Sequence, residues 1–485
     1  MSSRVLSRRS VLQGALAAVA SFNPVSRSWS TRAEPGSISL PPLDGRLLVD
    51  EATRGRAADD FGHTIHRKPS AVLVPGSAED IVKLVRFARA QRLKVAAARG
   101  IGESHSAYGQ SQVEAGVVID MSALSTIHEI GKTSAWVDAG VQWLDLLKAT
   151  VPLGKSPPSL TDYIDLSIGG TLSVGGIGGQ VFRWGMQTDN VLEMDVVTGK
   201  GELVRCSPWH ARSLFDSVRA GLGQFGIIVR ARLRLIDVPP RVRSYSATYT
   251  ELAPFLRDQL RLIEDGRFDS VEGFAVPSPT GHGRVYQLEV AKNFAPGDEP
   301  VDARMLSGLS FQPGTLRIRD SGYFDFVNRL EPIMESDRRD GTWLYPHPWL
   351  DMFVPERVSV SFIERVLAET PESEMGRGRI LIFAFHPRTV TAPFARMPTS
   401  ERAFIFSLLR NVDPPTPENT AAILARNQSI FKQLTAVGGK RYGASAVPMT
   451  AEDWRGHFHP VWERFEKAKG LFDPDNILAP GQGIF

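Results

Sequence analysis

The sequence predicts an α+β fold of two domains, on three observations. A strand–helix–strand pattern opens near residue 71. Glycine-crowded loops interrupt the strands that follow it. At Pro239-Pro240 the composition shifts into a second region that mixes strands with helices. The chain has 485 residues, room for roughly two to four domains and for a core that needs no covalent staple. With 42% apolar residues and a formal charge of +3, it is neither a disordered chain nor a dedicated nucleic-acid binder, which would carry a basic stripe. Cys206 is the only cysteine, which excludes an intrachain disulfide framework and any cysteine-held metal cluster. No apolar run reaches the roughly 18 residues that a membrane span requires.

Each element follows in order. Arg8 and Arg9 precede an apolar stretch, Val11 to Ala20, that ends in the processing pattern Ala18-Val19-Ala20. This predicts a removable export signal over residues 1–33 with its linker, and the arginine pair predicts the twin-arginine route to the periplasm or beyond. Cleavage after Ala20 removes Arg4, Arg8 and Arg9 and brings the net charge from +3 to zero. Loss of Arg27 and Arg32 as well would bring it to −2. Asn23 to about Pro42 is rich in Ser, Pro and Gly and reads as linker.

Ala71 to Val74 is a short apolar strand turned by Pro75-Gly76. Ser77 with Asp80 has the look of a capping box. Ile81, Leu84, Val85 and Ala88 then recur at helical spacing, and Lys94 to Ala98 returns as a strand. Val191–Val197 and Ile227–Leu235 read as further strands. Beyond Pro240, Arg379–Phe385 reads as a strand and Glu418–Leu434 as a helix. The tail carries Phe458, Trp462 and Phe465 on a helix, then a Pro/Gly-rich stretch from Asp473 to Gln482.

Two loops bear on chemistry. Residues 99–110 read RGIGESHSAYGQ, and Gly175, Gly176, Gly178 and Gly179 crowd the second loop. Such crowding requires positive φ or close approach to a ligand. In the first loop Gly100 and Gly102 have dinucleotide spacing, but His105 stands where the third glycine belongs, and no Gly-Lys-Ser/Thr follows. The spacing therefore fails both the nicotinamide fingerprint and the P-loop. A dinucleotide held by loops stays open. His63/His66 and His457/His459 are close pairs without a third ligand at suitable spacing, so no metal site is expected.

These residues carry a resemblance. HSAYGQ at 105–110, TDYIDLSIGGTLSVGGIGGQVFRWG at 161–185, NVLEMDVVTGKGELVRCS at 190–207 and GLGQFGIIVRARL at 221–233 resemble cytokinin dehydrogenases, of the vanillyl-alcohol oxidase/p-cresol methylhydroxylase-type flavoprotein superfamily. VEGF at 271–274, HPWLDMFVP at 347–355 and FDPDNILAPGQGIF at 472–485 agree. The resemblance implies a two-subdomain PCMH-type FAD-binding domain over 41–240, an α+β substrate cap domain over 241–435, and a segment, 436–485, that returns to the first domain. It implies FAD linked covalently to His105 in a loop begun by Gly100 and Gly102, with Ser106, Gln110, Ser167, Ser173, Ile228, Tyr442 and Gln482 contacting the cofactor. Asp162 matches the active-site aspartate, which also adjoins the flavin. Glu272 matches a glutamate at the substrate entrance, and Trp349 a tryptophan lining the pocket.

The chain departs from the family in places. Glu103 and Ser104 lengthen the usual R-G-x-G-H-S loop, and Lys440-Arg441-Tyr442-Gly443 replaces K-x-Y-L-P. No cysteine stands near Ile168-Gly169-Gly170 for a second flavin link. The expected function is oxidation of the N6 side-chain amine of an adenine-type small molecule, with Asp162 as base and a quinone-type acceptor or oxygen taking the electrons. Related alternatives are oxidation of another amine or an alcohol, or non-catalytic binding of flavin or purine.

Overall fold

The computed structural model describes residues 20–32, 34–281 and 283–485. The expected export signal, with Arg8 and Arg9, lies outside them. The chain is α+β. In the first domain a four-stranded sheet has the order Arg46–Leu48, Ala71–Val74, Val117–Asp120, Val95–Ala98. Its last three strands run parallel, and the first is antiparallel at the edge. The strand–helix–strand unit near 71–98 is present, but Val117–Asp120 inserts between its two strands. The connecting helix, Ala78–Ala90, buries Ile81, Leu84, Val85 and Ala88 against the sheet, as helical spacing requires.

The start of that helix differs from the expected capping box. Ser77 makes no side-chain cap bond; its Oγ donates to Asp44 (2.7 Å). Asp80 instead turns back to accept the N–H groups of Asp44, Gly45 and Gly76. A buried carboxylate that can collect three donors outcompetes a single local cap.

A five-stranded antiparallel sheet completes the domain, in the order Leu203–Cys206, Val191–Thr198, Gly226–Arg234, Ser134–Asp138, Ile127–Ile130. The stretch read as linker corrects the composition-based view. Ser21–Asn23, Ser28–Ser30 and Ile38–Ser39 form a small antiparallel sheet. Phe22, fully buried, packs against Trp29 and Phe87. Two aromatic anchors outweigh a Ser/Pro/Gly background, because burial of ring surface stabilises by more than loop composition costs.

A second, larger sheet begins immediately after Pro240 with the strand Arg241–Tyr249. It has eight antiparallel strands, in the order Arg317–Gly322, Arg241–Tyr249, Arg284–Phe294, Ser270–Pro277, Arg379–Phe385, Ala403–Leu409, Leu350–Pro355, Lys440–Arg441. The helices Leu252–Asp265, Ser359–Ala368 and Pro417–Ala436 pack on it. The expected helix at 418–434 is the last of these, capped by Thr416, whose Oγ accepts the Asn419 N–H.

The tail packs on the first domain. Trp454, Phe458 and Phe465 join that domain's core, and Val95 exchanges backbone hydrogen bonds with Ile477 and Ala479. Lys469 locks this arrangement. Its ammonium, buried, donates to Asp473 (2.7 Å) and to both oxygens of Gln224 (3.1 Å each). Asp473 also accepts the Ile477 and Leu478 N–H groups. Among the described residues, no helix is long and apolar enough to cross a membrane.

Removing one partner from a buried ion pair strands the other charge, so Asp473→Ala should lower stability by about 3–5 kcal/mol. Urea unfolding followed by tryptophan fluorescence measures this, and a change no larger than that of an exposed Asp→Ala control would refute the lock.

Candidate active site

A cavity of about 810 Å³ lies between the two domains. Loops of the first domain and the end of the tail form one wall. The other is one face of the eight-stranded sheet, and the helix Glu331–Arg339 borders the opening through Ile333, Met334 and Asp337. Strand alternation sets the second wall. Phe274 and Val276, Gln287 and Glu289, Arg379 and Leu381 share the face that meets the cavity.

Most of the residues singled out in the sequence meet here. His105, Ser106 and Gln110 line the cavity from the first loop, Asp162, Ser167 and Ser173 from the second, and Ile228 from the strand Gly226–Arg234. Trp349, Tyr442 and Gln482 line it from the cap and tail. Three do not. Gly100 and Gly102 do not line the cavity, although Arg99 before them and Ser104 after them do. Glu103 is exposed and also does not line the cavity. Glu272, expected at the substrate entrance, is 2% exposed and does not line the cavity, although its register opposite Glu289 puts it on the same sheet face.

Asp60 shapes the first loop. Its carboxylate accepts the Ser106 hydroxyl (2.7 Å) and the Gly109 N–H (2.9 Å), and burial pushes it up to about 6. The loop then presents His105 stacked on Phe61 (3.9 Å between ring centroids), with Tyr163 at 5.0 Å and Trp349 at 5.5 Å. Burial, then the nearby His347, Arg99 and Arg338, push the imidazole down to about 3. His105 is therefore neutral at physiological pH, with a lone pair free on one ring nitrogen.

The glycine-crowded second loop has an internal reason. Gly176 (φ +71°) donates its N–H to the Tyr442 hydroxyl (2.9 Å), and a Cβ there would meet Gln187 Oε1 at 2.0 Å. A Cβ on Gly179 would meet Ser270 Oγ at 2.2 Å and Glu272 Oε1 at 2.4 Å. Chain packing at these two positions requires glycine whether or not a ligand approaches.

Asp162 could have been a turn cap. The structure gives the turn bond to Thr161, whose Oγ donates to the Tyr163 carbonyl (2.6 Å). The Asp162 carboxylate accepts instead from Arg329 (3.2 Å), whose Nη2 also reaches Glu272 (2.6 Å). Burial, then the Glu272 carboxylate, push Asp162 up to about 8 against the pull of Arg329. Burial raises Glu289 as well.

The sequence reading missed Arg329, Glu289, Arg379 and Phe61. The alternation of Gln287 and Glu289 with apolar neighbours was the one available signal, because polar residues in a single phase of a strand mark one face. Arg329, in a helix–helix link, has no local pattern. The close His pairs are also accounted for. His63 and His66 both contact Asp59, and His457 is buried beside Trp454 and Phe458. Cys206 is buried in the five-stranded sheet, away from the cavity.

The donor set suits FAD. Between residues 97 and 111 no carboxylate lines the wall, which offers the hydroxyls of Ser104, Ser106 and Ser111, the Gln110 amide and the Arg99 guanidinium, the last shared with Asp165 behind it (3.4 Å). Hydroxyl and amide groups beside a guanidinium suit a pyrophosphate.

Comparison with known proteins agrees. Residues 69–207 match the FAD binding domain family, and residues 276–485 match the family described as "Cytokinin dehydrogenase 1, FAD and cytokinin binding". The chain is thus an FAD-dependent oxidoreductase. It is 35% identical to cytokinin dehydrogenase 2 of Arabidopsis thaliana over 480 residues, covering 92% of this chain and 95% of the relative. It is 36% identical to cytokinin dehydrogenase 5 of Oryza sativa subsp. japonica, covering 91% of each. It is also 39% identical to "Uncharacterized oxidoreductase ORF5 in fasciation locus" of Rhodococcoides fascians, covering 90% of this chain and 99% of the relative. The chain belongs to the cytokinin dehydrogenase family.

Proposed function

We propose that this chain oxidises the N6 side-chain amine of an adenine-type substrate, with Asp162 as proton acceptor. One observation carries the reading: the Asp162 carboxylate, raised by burial, lines the cavity next to Tyr163, which packs on His105. Bound FAD supplies the hydride acceptor. Asp162 takes the N–H proton as the C–N bond gains double-bond character, and water then releases the aminopurine and an aldehyde. A carboxylate made more basic by burial suits that role. Trp349 and the apolar cap face around Leu381 and Phe383 form a narrow slot for a planar base with an apolar tail. A quinone-type acceptor or oxygen takes the electrons onward.

In this reading the four- and five-stranded sheets are the two subdomains of a PCMH-type domain. Ser106, Gln110, Ser167, Ser173, Ile228, Tyr442 and Gln482 hold FAD, and the neutral His105 ring supplies the nitrogen of the covalent link. Export by the twin-arginine route completes the reading, since a cofactor fixed before export is not lost afterwards.

Three measurements test this. Anaerobic mixing of holoprotein with isopentenyladenine should bleach the flavin, faster as pH rises through about 8 because Asp162 must be ionised. Asp162→Asn should retain flavin and lose about 10²–10⁴-fold in rate. No bleaching at millimolar ligand would remove the cytokinin substrate, and an unaffected variant would remove Asp162 as base. Acid-treated protein on a denaturing gel should fluoresce and His105→Ala should not; a dark wild-type band from flavin-loaded protein would refute the link. Arg8→Lys with Arg9→Lys should keep the protein in the cytoplasm, and undiminished export would exclude this route.

A further inference from the structure

Asp162 does not stand alone. Glu272 and Glu289 are directly opposite each other on neighbouring strands of the cap sheet. Asp162 approaches the same place from the first domain. Like charges opposed across a sheet repel, and three carboxylates so close cannot all ionise without a cation.

Arg329 supplies one. It lies between the helices Tyr323–Val327 and Glu331–Arg339, the second of which borders the cavity. A single Nη2 bridges Glu272 and Asp162, with the shorter bond, 2.6 Å against 3.2 Å, to Glu272. Glu272 does not line the cavity, whereas Asp162 does. Arg379 faces the cluster from its own strand, influenced in turn by Asp337, Asp162 and Glu289. Among the described residues it forms no ion pair within 4.0 Å, so its influence is longer in range.

We propose that Arg329 is a positioning residue for the reaction: it grips Glu272 by the shorter bond and Asp162 by the longer one, and so sets the pH at which Asp162 accepts a proton. This rests on the reading of Asp162 as base. The guanidinium is committed first to the closer, wholly buried Glu272. Asp162 receives the weaker share, enough to orient it without pinning it in the ionised form. A fully paired carboxylate would be a poor base.

The two partners of Asp162 should move its titration in opposite directions. Arg329→Met removes a cation that favours ionised Asp162, so the titration midpoint rises by about one pH unit or more. Glu272→Gln removes the repelling anion and frees Arg329, so the midpoint falls by a similar amount. Arg329→Lys keeps the charge and should restore most of the wild-type midpoint.

Two readouts are compared in the holoprotein. One is the pH profile of anaerobic flavin reduction by isopentenyladenine. The other is the infrared carboxylic-acid band that Asp162→Asn abolishes, which needs no turnover. Opposed shifts support the proposal. Rates that fall equally at every pH, with midpoints unmoved or moved in one direction, overturn it and leave Arg329 a structural ion. If Arg329→Met does not fold, Glu272→Gln and Arg329→Lys still decide by the sign of the first and the rescue by the second. Absence of reduction in wild type at any pH would instead defeat the substrate reading, while the infrared midpoints would still report on Arg329.

Discussion

The close approach of Gly179 to the strand Ser270–Pro277 governs how the two domains make one site. The Gly179 carbonyl accepts the Val271 N–H (3.0 Å), and the space its missing Cβ leaves is filled by Ser270 and Glu272. A Cβ there would have to displace the Ser270 and Glu272 side chains. With glycine, the strand lies against the loop, Glu272 comes beside Asp162, and Arg329 can bridge the two. Both the cavity and its charge pattern depend on this contact.

The site then separates its tasks by wall. The first domain offers hydroxyls, an amide and a cation to an anionic cofactor, and holds its histidine neutral among aromatic rings. The cap sheet offers an apolar slot whose polar residues gather at one end. Asp162 is where these surfaces meet. Burial and Glu272 make it more basic, and Arg329 opposes them. The tail closes the arrangement from the first-domain side, with Gln482 on the cavity wall and Lys469 anchoring the turn before it.

Much of this could be read in the sequence, and for physical reasons. Helix Ala78–Ala90 and strand Arg379–Phe385 announce themselves because local periodicity determines which face is buried. Ten of the thirteen proposed site residues, all taken from the family resemblance, line one cavity. The failures share a cause. Phe22 and Trp29 build a packed sheet inside an apparent linker, because their partner Phe87 lies far along the chain. Ser77 loses its cap to Asp80, which found three donors. Glu272 lies on the strand Ser270–Pro277, and nothing local said that its side chain would be buried against an arginine 57 residues away.

By itself, the sequence determined the α+β class, the flavoprotein family and most of the residues that meet at the cavity, because these follow from local periodicity and from motifs contiguous in the chain. Only the tertiary structure decided which glycines serve packing, where Gly100, Gly102 and Glu272 stand relative to the cavity, and that Arg329 belongs to the site. Those facts depend on contacts between distant segments. There, charge and space are shared among groups whose nearness no local pattern encodes.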